Sequence, residues 1–162
     1  ERYGHVGGDQ LLRQFAVLLQ RLAGDGAEVV RWGGEEFLVL LPGVPREQAR
    51  QRIDRLWRDA LEHIHPAPDG QPMVLTSSVG YSLYPPLPAA PDAVPWTVVV
   101  ELADAAAFQV KNHARNAWAG LLATPLADPA AIAGGVVGRL RGLLDNGSLS
   151  WDNIKPRPGS MP

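Results

Sequence analysis

Apolar residues recur at helical spacing in some stretches of this chain and run almost unbroken in others. Over residues 9–22, Leu11, Leu12, Phe15, Leu18, Leu19 and Leu22 fall on one face, which predicts an amphipathic helix. Gly24-Asp25-Gly26 stops it. Residues 28–32 and 37–41 read as strands flanking Gly33-Gly34-Glu35-Glu36, and together they predict a hairpin. Pro45 suits the first turn of a helix, and 47–64 forms a second amphipathic one. Its inner face carries Ala49, Ile53, Trp57, Ala60, Leu61 and Ile64. A Thr- and Val-rich strand is expected over 73–84, a third helix over 97–113 and a short strand over 117–122. Strands separated by helices imply a layered α+β fold, with helices packed on a central sheet.

The character of the chain changes after residue 123. Residues 128–144 predict a glycine-interrupted helix, and 148–162 read as a mobile tail. The expected organisation is therefore a domain over 1–122, a helical extension over 123–147 and a flexible tail over 148–162.

Composition narrows the function classes. Apolar residues make up 46 % and charged residues 20 %, the balance of an ordinary folded domain. A net charge of −2 provides no global basic field for a nucleic acid polymer. With no cysteine, disulfides and thiolate metal sites are excluded. No apolar run approaches the roughly 18 residues of a membrane span. The first residue is Glu1 rather than methionine, so the chain reads as an excerpt of a longer protein.

Four motifs carry the chemistry. They are Tyr3-Gly4-His5-Val6-Gly7-Gly8-Asp9, Arg31-Trp32-Gly33-Gly34-Glu35-Glu36-Phe37, Ser77-Ser78-Val79-Gly80-Tyr81-Ser82, and Ala103-Asp104-Ala105 with Lys111 and Arg115-Asn116. The glycine pair lets backbone come close to a ligand, because no Cβ intrudes. Two glutamates at a hairpin tip concentrate negative charge, which a cation such as Mg²⁺ would neutralise together with phosphate. Asp9 at the start of a helix suits an N-cap or first-turn acid. Lys111 and Arg115, four apart, share a face if the helix continues that far, and could hold a triphosphate as point charge and fork. His5 is read as a packing and hydrogen-bonding residue, Gly80 as a site of close backbone approach, and Trp32 and Phe37 as core.

In this order and spacing the motifs resemble the GGDEF family of diguanylate cyclases, whose pattern is GHxxGD, RxGG[DE]EF, an SxG strand and ADxALYxAKxxGRN. The resemblance implies a nucleotidyl-cyclase, palm-like fold and the condensation of two GTP molecules into cyclic di-GMP. It implies Glu35 as metal ligand and catalytic group, Glu36 as catalytic support, and Asp9 as acceptor from the guanine base. Gly33, Gly34, Lys111 and Arg115 become substrate-binding residues. It further implies Mg²⁺ or Mn²⁺, a homodimer facing two GTP sites, an upstream sensor or regulatory domain, and a cytoplasmic location, free or as part of a membrane-bound sensor. The alternative it leaves open is a module that binds GTP or cyclic di-GMP without turnover.

Departures from the pattern are informative. The family's first strand, with a metal-binding Asp, and the loop with a guanine-binding Asn belong before Glu1. The Arg-x-x-Asp product-inhibition positions are Gly24 and Ala27 here, so that feedback site is not implied. Phe108, Val110 and Ala114 replace the usual Tyr, Ala and Gly, and the stretch 85–95 is longer than the usual turn.

Overall fold

A computed structural model describes residues 4–67 and 70–153. The chain divides into two compact units, Glu1–Thr76 and Ser77–Pro162, and each is described by itself.

The first unit opens with helix α1, Gly4–Ala23, which begins earlier than its apolar stripe. Leu18, Leu19 and Ala23 are buried side chains of its apolar face. Gly24, at φ 86°, ends it, and Arg52 Nη2 donates to the terminal carbonyls of Leu22 (2.8 Å) and Ala23 (2.7 Å). Strands β1, Glu28–Gly33, and β2, Glu36–Leu40, pair antiparallel as the expected hairpin. Helix α2, Arg46–Glu62, buries Ala49, Leu56 and Ala60. It stops two residues before the expected end, because Ile64 belongs to a short strand β3, Ile64–Pro66, paired with β4, Pro72–Val74.

In the second unit, β5, Val79–Tyr81, precedes helix α3, Trp96–His113, and strand β6, Trp118–Ala123. Strands β5 and β6 pair in parallel, the arrangement a crossover helix permits. The strand expected over 73–84 is thus two, in different ladders, with residues 75–78 outside both. Gly80 has the role the sequence suggests. A Cβ there would overlap the backbone of Ala103 and Ala107, so only glycine allows α3 to lie this close to β5.

Residues expected as one interrupted helix form two, α4, Pro129–Ala133, and α5, Leu140–Asp145. Asp128 caps the first through Ala130 N (3.0 Å). Gly135 and Gly138, at φ 81° and 69°, break the helical path between them. The start of the expected tail is also ordered: β7, Leu149–Asp152, pairs antiparallel with β6. Residues 154–162 lie outside the described residues. Ile132, Val136, Leu143 and Leu149 join Val98, Leu102, Ala106, Val110 and Leu121 in one core, so the extension completes it. The α+β composition holds, but in place of one central sheet the strands among the described residues form three sheets, β1–β2, β3–β4 and β5–β6–β7. No helix among the described residues is long and apolar enough to cross a membrane.

Candidate functional site

The Gly-Gly-Glu-Glu segment forms a tight hairpin end. Gly33 pairs with Glu36, which leaves Gly34 and Glu35 as a two-residue connection. Gly34 takes φ 48°, the region glycine enters without a Cβ penalty. Glu35 therefore stands exposed at the tip, with exposed Glu36 as the first residue of β2. A register shift between Arg31 and Gly33 leaves Trp32 without a ladder partner. Such a bulge re-aims a side chain, and Trp32 is 57 % exposed rather than part of the core. Phe37 is half-buried and meets Phe15 edge-on at 5.8 Å, as a packing residue should.

The turn is tethered by a residue to which the sequence assigns no role. Arg31 Nε donates to Gly34 O at 2.9 Å, and its Nη2 reaches Asp9 Oδ1 at 3.2 Å. One planar guanidinium thus ties the glycine turn to α1, a task its fork geometry suits. Asp9 lies in the second turn of α1, which begins at Gly4, so it is not the N-cap. Its carboxylate is 54 % exposed, and its contact with Arg31 engages Oδ1. The only available signal for Arg31 was its place inside the motif. The side chain of His5 lies outside the described residues.

Lys111 falls in the last turn of α3, but Arg115 does not continue the helix. Ala114 N and Arg115 N both donate to Val110 O, at 3.1 and 2.7 Å, and close the helix there. Arg115 and Asn116 then take φ 47° and 44°. The shared helical face expected for Lys111 and Arg115 is therefore replaced by a helix end followed by a left-handed turn. Asn116 Oδ1 accepts from Ser77 N at 3.4 Å, and Ala117 O accepts from Val79 N at 2.9 Å, so this turn is pinned to the segment leading into β5.

Among the described residues no three His, Cys, Asp or Glu side chains cluster as a ready cation cage. The donor set still fits a divalent ion held partly by substrate. Mg²⁺ commonly takes one or two carboxylates and completes its shell with phosphate and water, and Glu35, exposed at the hairpin tip, offers one such carboxylate.

Comparison with known proteins bears on this geometry. Residues 1–117 match the family described as "Diguanylate cyclase, GGDEF domain". The chain is 32 % identical over 114 residues to diguanylate cyclase DgcP of Pseudomonas aeruginosa, covering 70 % of this chain and 16 % of that protein. It is 31 % identical over 116 residues to diguanylate cyclase A of Treponema denticola, covering 72 % of this chain and 30 % of the relative. The chain thus spans under a third of either protein. The crystal structure of the GGDEF domain of PA1120 (YfiN or TpbB) from Pseudomonas aeruginosa superposes with a TM-score of 0.59 at 25 % identity. That match covers 72 % of this chain and 70 % of the other.

Proposed function

Since this chain belongs to the GGDEF family, we propose that it joins two GTP molecules into cyclic di-GMP, as a cytoplasmic output domain under an upstream sensor. The 3′-oxygen of one GTP attacks the α-phosphorus of the other. The bond to pyrophosphate breaks, and the hydroxyl proton leaves to a nearby base. The same exchange in the opposite sense closes the ring and releases the second pyrophosphate. One copy holds one GTP, so two copies must face each other, and catalysis is mainly positioning and charge neutralisation.

Within each copy the residues divide the work. Gly33 and Gly34 let the phosphates approach backbone. Glu35 accepts the proton of the attacking hydroxyl, and Glu36 supports the same carboxylate pair. Glu35 would hold Mg²⁺ or Mn²⁺, which when bound would supply neutralising charge to the phosphates. Lys111 binds phosphate as a point charge and Arg115 as a fork. Asp9 accepts from the guanine N1–H and N2–H, an edge adenine lacks.

The observation that supports this most is the Arg31 bridge, which holds the Glu35-bearing turn and the Asp9 carboxylate on one scaffold. Incubating the full-length protein with GTP and Mg²⁺ should yield cyclic di-GMP. Glu35→Ala should lower the rate at least about a hundredfold with an unchanged melting temperature. Full activity in that variant would remove Glu35 from the mechanism. Saturable GTP binding without product would identify the receptor module instead.

A further inference from the structure

The segment after the family match builds a latch at the start of β6, the end that the Arg115–Asn116 turn leads into. Tyr81, Gly120 and Asp152 stand in one row across the three strands β5, β6 and β7. The Tyr81 ring passes over Gly120 and its hydroxyl donates to Asp152 Oδ2. Gly120 is what makes the crossing possible, because a Cβ there would lie 2.5 Å from Tyr81 Cε1. Trp118, on the same face of β6, packs on the Tyr81 ring at 6.0 Å. The residue after β7 completes the contact: Asn153 Nδ2 donates to Trp118 O at 2.8 Å.

The position of this latch gives it a task. Because β7 runs antiparallel to β6, Asp152 and Asn153 arrive at the start of β6, where the Arg115–Asn116 turn leads in. Two consecutive non-glycine residues at positive φ are unfavourable and persist only where surrounding structure fixes them. The Asn116–Ser77 and Ala117–Val79 bonds fix one side of that turn. The Asp152–Tyr81 and Asn153–Trp118 bonds fix the strand it enters. We infer that Asp152 and Asn153 are positioning residues for Arg115, so the C-terminal strand tunes the protein's grip on the GTP triphosphate. This rests on the proposed phosphate role of Arg115.

The test measures GTP dissociation constants by calorimetry in the full-length protein, with a non-hydrolysable analogue if turnover interferes. Asp152→Asn and Asn153→Ala should each weaken GTP binding several-fold, and together about tenfold. Asn153 is exposed but takes φ 72°, which alanine disfavours, so Asn153→Gly is measured beside it and keeps the fold even if Asp152→Asn does not. The decisive comparison is in an Arg115→Ala background, where the same changes should leave GTP affinity unaltered. Equal weakening with and without Arg115 would make β7 a general stabiliser and overturn the inference. So would full affinity in Asn153→Ala and Asp152→Asn while Arg115→Ala is impaired. If Arg115→Ala itself binds GTP normally, the phosphate role fails first, and this inference with it.

Discussion

Replacing Gly80 by alanine tests the packing that supports the second unit. The added methyl would fall on Ala103 O, Ala107 N and Ala107 Cα, all backbone atoms of α3. No rotamer change relieves a clash with main chain, so the helix must lift from β5. That helix contributes Val98, Leu102, Ala106 and Val110 to the core, and a lift loosens all four together. Overpacking of this kind costs about 1–3 kcal/mol, and a backbone clash belongs at the upper end. For a chain of this size, about 3 kcal/mol lowers the melting temperature by roughly 6–12 °C. Gly142→Ala is the matched control. Nothing lies within 4 Å of its Cβ position, it sits inside α5 at an ordinary φ, and it is exposed. It should stabilise by about 0.5–1 kcal/mol through helix propensity alone. Thermal unfolding followed by circular dichroism reads both. A Gly80→Ala protein melting within about 2 °C of wild type, against the roughly 6–12 °C worked above, would show that α3 does not approach β5 so closely.

Two further predictions concern the first unit. Arg31→Ala should leave stability within about 1 kcal/mol, because its ion pair with Asp9 is half-exposed. It should nevertheless reduce cyclic di-GMP synthesis about tenfold through a loosened turn, with Arg31→Lys intermediate because an ammonium cannot reproduce the fork; wild-type turnover in Arg31→Ala would make the bridge incidental. His65 is buried, its Nε2 has no hydrogen-bond partner among the described residues, and its ring lies 4.8 Å from that of His63. Burial first, and the neighbouring His63 charge second, hold its pKa below the ordinary 6.5. The unfolded chain therefore binds this proton at higher pH than the folded one, so stability is full above 6.5 and falls as pH drops through the folded value. His65→Phe, which can still pack on Phe15, should flatten that decline in urea titrations between neutral and mildly acid pH; an unchanged slope would assign it to other groups.

Local chemistry was legible in the sequence wherever a few adjacent residues decide the outcome. The hairpin of β1 and β2, the stop at Gly24 and the three long helices follow from spacing and glycine placement. Gly80 could be read as a close approach because strands otherwise disfavour glycine. What stayed hidden depends on partners distant in sequence. The exposure of Trp32 follows from a bulge that shifts register by one residue, and no periodicity marks it. The helical pattern of 97–113 gives no sign that the chain turns left-handed at Arg115, because two non-glycine residues there are held by Asn116, Ser77 and the strands beyond. Strand β7 has four residues and follows a glycine-rich run, which reads as a tail in sequence, and only its pairing with β6 makes it a strand.

The same division separates what the residues can do from how they are held. The groups proposed to act on GTP, Glu35, Glu36, Lys111 and Arg115, sit in short motifs whose chemistry any comparable sequence would advertise. They are held by contacts between residues far apart in the chain: Asp9 and Arg31 are 22 residues apart, and Tyr81 and Asp152 are 71 apart, with Asp152 alone outside the four motifs. A motif can survive in a sequence after such a support has been lost, leaving the groups present and poorly aimed. Activity in this family should therefore track the supports as closely as the motif. In this chain that places the informative substitutions at Arg31 and Asp152, where Glu35, Glu36, Lys111 and Arg115 all stay intact and only their placement changes.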